Sequence, residues 1–111
     1  MQTLPRRESP PTFRDKHLHV DLRQQEVILD GETVRVTPMQ YRLLALLVEH
    51  VGVVLTRPIL LMQIWGYAPE IRGGRVDTCI RGLRKKLGVY ADQYIETVYG
   101  TGYRFRPLPE P

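Results

Sequence analysis

Residues 75–87, with the sequence RVDTCIRGLRKKL, form the most strongly patterned segment of the 111-residue chain. At about 100° per residue, a helix would bring four aliphatic side chains within about 60° of one another, namely those of Val76, Ile80, Leu83 and Leu87. A narrow aliphatic stripe of this kind is typical of a helix that packs one side against a protein core. The segment is therefore predicted to be an amphipathic helix whose polar side faces solvent.

The polar side of this helix is strongly basic. Residues 72–86 contain six basic residues and one acidic residue, which gives this segment a formal charge of +5. The whole chain carries +4, so the remaining residues sum to −1. Because attraction to phosphates is screened over about 8–10 Å at physiological salt, such local charge determines binding geometry. Opposite the stripe lie Arg75, Thr78, Arg81, Gly82 and Lys85, with Cys79, Arg84 and Lys86 at the flanks.

Charge and periodicity alone leave three interpretations of this surface: a solvated helix face, a membrane-surface helix, and a nucleic-acid contact. The stripe is too narrow and aliphatic for membrane insertion. A second helix is predicted only a short loop upstream, as a helix-turn-helix requires. Arg104 and Arg106 add a second basic element downstream, so the pattern favours nucleic acid.

Two more helices are predicted before this one. Residues 37–40, TPMQ, form a capping box with proline in the first helical position. Thr56 is expected to cap the second helix, which ends at Gly66 and is followed by a loop over residues 67–74. The apolar stripe of the second helix consists of Leu60, Leu61, Ile64 and Trp65, and the tryptophan is expected in the core.

The N-terminal part is predicted to be β structure. Asp30-Gly31 separates residues 27–29 from residues 33–36, which is typical of a two-residue hairpin. Residues 18–22 alternate apolar and polar side chains, as a half-buried strand does.

The C-terminal part contains a second predicted hairpin. Residues 94–99 and 103–106 are β-prone and flank Gly100-Thr101-Gly102. The predicted fold class is therefore α+β, with an N-terminal antiparallel sheet, three helices and a C-terminal β-hairpin.

Length and composition fit one globular domain. The chain is 42% hydrophobic and 25% charged, which is ordinary for a folded protein of this size. Proline-rich residues 1–12 are interpreted as a linker, residues 13–106 as the domain and residues 107–111 as a tail. No apolar run approaches the roughly 20 residues that a bilayer requires, so no membrane partner is expected. The single cysteine excludes an internal disulfide and favours an intracellular location.

No catalytic constellation is present, and the chain is not expected to be an enzyme. The glycine-rich segments lack the lysine and spacing of a phosphate-binding loop. His17 and His19 share one side of a predicted strand, but two histidines do not make a metal site, and no cofactor is expected. Cys79 is either a redox switch or, as expected for a lone helix cysteine, only a small side chain.

Four motifs, in this order, resemble the OmpR/PhoB-type winged-helix domains of two-component response regulators. Residues 75–87 resemble the recognition helix, and residues 95–105, IETVYGTGYRF, resemble the wing hairpin. Parts of residues 55–66 match the second helix, and parts of residues 36–44 match the first. The resemblance covers residues 13–106.

The resemblance implies a cytoplasmic DNA-binding effector domain that regulates transcription. Its third helix would enter the major groove, its wing would touch the adjacent minor groove, and residues 67–74 would meet RNA polymerase. Relatives bind as two copies on direct repeats, so a head-to-tail dimer on DNA is expected. The receiver domain of the family lies outside these 111 residues, so the chain is interpreted as an excised fragment, with a free-standing domain as the alternative.

Matching motif positions and the polar side of the third helix together give a set of DNA-binding residues. Arg75, Arg81 and Arg84 match basic positions of the recognition helix, and Thr97 matches a wing position that contacts phosphate. The predicted DNA-binding set is Arg75, Thr78, Cys79, Arg81, Gly82, Arg84, Lys85, Thr97 and Tyr99.

Three members of this set depart from the family pattern. Gly82 stands where many relatives have a basic side chain that contacts bases. Tyr99 stands where many have an arginine that enters the minor groove, and Cys79 replaces a frequent histidine. These departures affect the DNA sequence preference more than DNA binding itself.

Several residues of the predicted DNA-binding set also have a purely structural interpretation. Arg81 and Arg84 contact phosphates or guanine edges, or they only keep the surface soluble while Arg81 pairs with Asp77 one turn away. Gly82 permits close approach to DNA or reflects drift at an exposed site. Tyr99 is expected to pack against Tyr103 across the hairpin rather than to contact a sugar or phosphate.

Two alternatives to sequence-specific DNA binding remain for the domain as a whole. Winged helices also dock proteins, and the changed recognition surface is compatible with a protein-interaction module. A non-specific DNA-binding domain is the second alternative, and it would bind random duplexes equally well.

Overall fold

The computed structural model describes residues 12–66 and 74–109, and a four-stranded antiparallel sheet comes first. In order across the sheet, the strands are β1 (Thr12–Arg14), β2 (Leu18–Asp21), β3 (Glu26–Leu29) and β4 (Glu32–Thr33). Asp30 and Gly31 join β3 to β4 with φ angles of 50° and 84°. Positive φ at both central residues is characteristic of the tight turn that Asp-Gly favours, which confirms the predicted hairpin.

The second arm of this hairpin is shorter than predicted. β4 ends at Thr33, whereas the sequence pattern predicts a strand to Val36. The Val34 N–H still donates to the Val27 carbonyl at 2.8 Å. The Arg35 carbonyl instead accepts from the Lys86 ammonium, because the chain leaves the sheet here to enter the first helix.

Three helices follow, with the predicted caps. They are α1 (Pro38–Glu49), α2 (Arg57–Trp65) and α3 (Arg75–Leu87). Gln40 donates its N–H to Thr37 Oγ1 at 3.1 Å, and its Oε1 accepts from the Thr37 N–H at 3.0 Å, which confirms the capping box. Thr56 caps α2, and Gly66 ends it in the left-handed conformation.

The C-terminal hairpin belongs to a second, three-stranded sheet. β6 (Ile95–Val98) and β7 (Gly102–Phe105) form the predicted hairpin, and β5 (Leu55–Thr56) pairs with the other side of β7. A Cβ on Gly102 would lie 2.0 Å from the Leu55 carbonyl oxygen, so only glycine permits this pairing. The sequence pattern did not indicate β5, because two residues are too few to show alternation.

A short connection that was not predicted carries α3 into the hairpin. It consists of a 3₁₀ turn (Gly88–Tyr90) and the single-turn helix α4 (Ala91–Tyr94). Tyr94 is fully buried, and its ring stacks on Phe105 with centroids 5.6 Å apart. The connection therefore anchors the start of β6 in the core.

The aliphatic stripe of α3 lies in the core, as predicted. Val76, Ile80, Leu83 and Leu87 are each at most 4% exposed. They join one continuous hydrophobic cluster with the buried leucines of α1 and α2 and with Phe105 of β7. Because this side of α3 is buried, its basic side is directed away from the core.

Both ends of the described chain contact the domain. β1 begins at Thr12, one residue before the predicted domain start, because Thr12 pairs with Asp21. At the other end, the Leu108 N–H donates to Asp15 Oδ2 at 3.1 Å, and Leu108 packs against the core. Within residues 12–66 and 74–109, no helix is long and apolar enough to cross a bilayer.

Asp15 links the first sheet to the C-terminal part of the chain. The Tyr94 hydroxyl donates to both Asp15 carboxylate oxygens, at 2.7 and 2.9 Å. Burial acts to raise the pKa of Asp15, but hydrogen bonds from the Leu18 N–H and the Tyr94 hydroxyl, among others, outweigh burial, so the pKa lies below its usual value. A depressed carboxyl pKa stabilises the fold above the unfolded-state pKa of about 3.9, and this contribution is lost as the pH falls through the folded-state pKa.

Tyr94→Phe tests this link. We expect the free energy of unfolding at pH 7 to fall by about 1–3 kcal/mol, because a hydrogen bond to a charged carboxylate is lost. The difference should shrink as the pH falls below about 3.9 and through the lowered folded-state pKa of Asp15, where the carboxylate becomes protonated. Urea unfolding at several pH values measures both effects. Tyr41→Phe is the control, because the Tyr41 hydroxyl makes only a long contact of 3.5 Å; a pH-independent cost at Tyr94 would contradict the account.

Candidate nucleic-acid interface

The outward side of α3 carries a set of exposed polar residues that we call the basic face. All of its members are exposed in the structure, and they are Arg75, Thr78, Arg81 and Lys85. Within residues 12–66 and 74–109, no hydrogen bond or ion pair engages Arg81 or Lys85. The basic face is therefore a cationic surface on which the side chains of Arg81 and Lys85 are available to an anionic partner.

One flank of α3 is tied to α2 and β7 by a polar cluster around Asp77. Asp77 Oδ1 accepts from Arg57 Nε at 2.9 Å and from the Tyr103 hydroxyl. Burial acts to raise the pKa of Asp77, but the hydrogen bonds from Tyr103 and Arg57 outweigh it, and the pKa lies below its usual value. Asp77 thus pairs with Arg57 and not, as one alternative proposed, with Arg81, whose charge acts on it only at longer range.

Arg84 lies on the same flank and contacts the hairpin. Its Nη2 donates to the Ile95 carbonyl at 2.6 Å and to Thr97 Oγ1 at 2.8 Å. Its guanidinium carbon lies 5.7 Å from the centre of the Tyr103 ring, and its side chain is 26% exposed. The structure therefore places Arg84 between α3 and β6, where it joins the helix to the hairpin.

Between α3 and the hairpin lies an open groove of about 530 Å³. Five of the predicted DNA-binding residues line it together with the Asp77 cluster, and they are Arg81, Arg84, Lys85, Thr97 and Tyr99. The groove brings the helix and the hairpin onto one surface of the molecule.

Tyr99 does not pack against Tyr103 as expected. Its side chain is 89% exposed. The register explains the difference: Thr97 is opposite Tyr103 and Val98 is opposite Gly102, so Tyr99 lies in the turn beyond the paired residues. The structure leaves its ring at the exposed tip of the hairpin.

A second groove, of about 410 Å³, lies on the other flank of α3. It contains three more helix residues of the predicted set, Arg75, Thr78 and Cys79, beside Trp65. Trp65 is partly buried against the core, as expected. Burial raises the pKa of the Cys79 thiol, which disfavours the thiolate that redox chemistry requires.

Gly82 faces the N-terminal turn of α1 rather than open solvent. It is half-buried, so it does not lie at an exposed site as the drift interpretation assumed. A Cβ built on Gly82 would lie 2.6 Å from Gln40 Nε2. The small residue therefore makes room for the side chain of Gln40.

Three residues that shape this surface were not predicted from the sequence. Gln40 was noticed only as a cap, and Arg57 and Tyr103 meet Asp77 across 20 and 26 residues of chain. No periodic pattern signals contacts at such separations. The basic character of Arg57 directly after the Thr56 cap was the one available hint.

The His17 side chain takes part in ordinary polar contacts. His17 Nδ1 lies 2.7 Å from Asp30 Oδ1, and its ring stacks on Tyr90 with centroids 4.5 Å apart. In the part of the chain that the structure describes, no three potential metal ligands come together.

The chain matches the family model described as "Transcriptional regulatory protein, C terminal" over residues 31–105, which is more than half of its length. The response regulator DrrB of Thermotoga maritima, an OmpR/PhoB homologue, superposes with a TM-score of 0.80 at 29% identity over 90% of this chain and 46% of that one. The chain belongs to the OmpR/PhoB-type DNA-binding domains. This result confirms the resemblance found in the sequence.

Curated relatives of this OmpR/PhoB-type domain are response regulators. The phosphate regulon transcriptional regulatory protein PhoB of Pseudomonas aeruginosa is 40% identical over 88 residues, which is 79% of this chain and 38% of that protein. The response regulator ArlR of Staphylococcus saprophyticus is 40% identical over 92 residues, 82% of this chain and 42% of that protein. The chain thus spans about two fifths of the length of these relatives.

Solved DNA-binding domains share the whole fold. The DNA-binding domain of Escherichia coli CpxR aligns with a TM-score of 0.79 and 28% identity over 90% of this chain and all of that domain. The RstA domain of Klebsiella pneumoniae, solved in complex with the RstA box, aligns at 0.77 with 32% identity over 87% of this chain and 98% of that one. The winged-helix architecture is confirmed, and the family is one of DNA-binding transcription regulators and not of enzymes.

Arg84→Ala tests the link between α3 and the hairpin. We expect the free energy of unfolding to fall by about 1–3 kcal/mol, because two charge-assisted hydrogen bonds to β6 are lost. Amide hydrogen exchange in β6 should become faster. Lys85→Ala removes the same charge from an exposed neighbour and should change stability by no more than about 0.5 kcal/mol. Equal effects of the two variants on stability and exchange would contradict this role of Arg84.

Proposed function

We propose that this domain binds double-stranded DNA in a sequence-specific manner, with α3 in the major groove. The observation that carries the proposal is the basic face of α3, which is exposed and lies beside the C-terminal hairpin on one surface. An α-helix fits the width of the major groove, and phosphates attract the cationic side chains that flank it.

Arg81 and Lys85 are the basic-face residues assigned to direct contact. Within the described residues, neither is engaged by another side chain. An arginine can donate two parallel hydrogen bonds to the O6 and N7 atoms of guanine, and a lysine can reach the same acceptors or a phosphate. Thr78 lies on the same face and contacts either a base or the backbone.

The hairpin acts as the wing at the adjacent minor groove. Thr97 Oγ1 accepts from Arg84, so its own O–H is free to donate to a phosphate oxygen. The exposed ring of Tyr99 offers an apolar face to a sugar and a hydroxyl to a phosphate. We assign Arg84 to holding the wing at the correct distance from α3, while Arg75 and Cys79 border the α1 side of the recognition surface.

The wider function is that of a response-regulator output domain. A phosphorylatable receiver domain would precede these residues in the full-length protein, and transcription control in the cytoplasm would follow. Two copies would bind head to tail on direct repeats about one helical turn apart. Contact with RNA polymerase through residues 67–74 is part of the proposal, although residues 67–73 lie outside the described part of the chain.

The salt dependence of binding tests the proposal. For a duplex selected from a random pool, the affinity should fall by roughly 0.9 log units per log unit of salt for each phosphate neutralised. If Arg81 contacts a phosphate, Arg81→Gln should reduce this slope by about 0.9; if it contacts guanine, the variant should relax the sequence preference instead. Fluorescence anisotropy at several salt concentrations measures the slope.

Arg84→Gln is the control for the salt experiment. Like Arg81→Gln, it removes one positive charge. DNA affinity should fall mainly because the wing is no longer held at the correct distance from α3, so the slope of affinity against salt should change less. A flat salt response of the native domain would contradict DNA binding. If the native domain binds random duplexes with the same affinity as the selected duplex, its DNA binding is non-specific. If the Arg81→Ala/Arg84→Ala variant still binds a protein partner, the domain is a protein-docking module instead.

A further inference from the structure

The helix-capping role of Gln40 uses only one end of its side-chain amide. Gln40 lies in the first turn of α1, and its Oε1 accepts from the Thr37 N–H at 3.0 Å. This bond holds the amide group in one orientation. Within residues 12–66 and 74–109, no acceptor bonds to its Nε2.

The free end of this amide lies at Gly82 of α3. A Cβ on Gly82 would be 2.6 Å from Gln40 Nε2, closer than non-bonded atoms approach. The amide of Gln40 therefore occupies the space in which a side chain at position 82 would begin. Two helices that are distant in sequence jointly form this point of the surface.

The surroundings of the amide are part of the proposed DNA-binding surface. Residue 82 follows Arg81 and precedes Lys85 by one turn, on the α3 flank that faces away from the wing. Gln40 also lines the groove that contains Arg75 and Thr78. A duplex that lies along α3 would bring one strand of its backbone to each flank, and Gln40 would meet the strand opposite the wing.

We propose that Gln40 is a DNA-contacting residue that donates a hydrogen bond from Nε2 to a backbone phosphate, and that Gly82 is required to give the amide its position. The inference rests on the proposed function, because it needs a duplex on α3. Under this proposal, the first helix supplies a DNA contact at the point where position 82 of the third helix has no side chain.

The chemistry of the amide favours a phosphate over a base. A glutamine that recognises adenine uses its oxygen and its nitrogen together. Here the oxygen is bound to Thr37, so the amide is oriented as a donor, and phosphate oxygens are the nearest acceptors to a side chain on a flanking helix. Gln40 would thus fix the position of the domain on DNA, while Arg81 contacts the bases or the backbone from the basic face.

Gln40→Glu separates capping from DNA contact. Glutamate accepts from the Thr37 N–H as glutamine does, so the capping box is kept and thermal stability should not fall. The variant replaces the N–H donor with a carboxylate oxygen beside phosphate. We expect DNA affinity to fall at least about tenfold, as for the loss of a hydrogen bond to a charged group.

Gln93→Glu is the matched control. Gln93 is exposed on α4 and lines a cleft with His17 and Leu108, beside the four-stranded sheet. It adds the same charge to the molecule, and affinity should fall less than about threefold, since distant exposed charges are screened. If Gln40→Glu and Gln93→Glu bind DNA equally well, the inference is overturned.

A double-mutant cycle of Gly82→Ala and Gln40→Ala tests the role of Gly82. Alanine favours the helix, so Gly82→Ala should fold, but its methyl group displaces the Gln40 amide. We expect Gly82→Ala to weaken DNA binding in the native background and to have no further effect in the Gln40→Ala background. Additive losses would mean that Gly82 acts by its own close approach to DNA, and unchanged affinity of Gly82→Ala would remove the coupling; either result overturns the inference.

The experiments distinguish a failure of the proposed DNA binding from a failure of the proposed Gln40 contact. If the native domain binds the selected duplex with a steep salt dependence but the Gln40 and Gly82 variants match it, only this inference is wrong. If the native domain does not bind DNA, the proposed function and this inference both fall.

Discussion

Burial of the aliphatic stripe of α3 determines how the rest of the surface is arranged. Val76, Ile80, Leu83 and Leu87 are almost completely buried, and each contributes about 1.5–3 kcal/mol relative to an exposed side chain. Because the helix advances about 100° per residue, fixing this stripe also fixes which residues point outward. A rotation by one residue would bury a cation such as Arg84 without a partner, which is far more costly than any gain.

A second constraint places the hairpin relative to this helix. Asp77 binds Arg57 of α2 and Tyr103 of β7, and Arg84 binds the backbone and a side chain of β6. The basic residues of α3 therefore have two roles. Arg84 bonds to β6 and also lines the groove, whereas Arg81 and Lys85 have no side-chain partner among the described residues, so a count of cations in the sequence does not show which of them are engaged within the domain.

Sequence patterns that act within a few residues predict the helices and hairpins well. The features that they do not predict depend on contacts between residues far apart in the chain. The Thr37–Gln40 capping box and the Asp30-Gly31 turn act within a few residues, so their patterns are complete in the sequence. The strand β5 has two residues and depends on Gly102, 46 residues after Thr56. The Gln40 side chain and Gly82 meet through the packing of α1 on α3, which no periodicity in either helix reveals.

In the proposed complex, the outward side of α3 and the tip of the wing together face a duplex. An NMR titration of the isotope-labelled domain with a duplex selected from a random pool measures which residues meet the DNA. We expect the largest chemical-shift changes at Arg81, Lys85 and Tyr99, while the amides of β2 and β3 stay unchanged. Shift changes concentrated on the four-stranded sheet, with α3 unaffected, would contradict this arrangement.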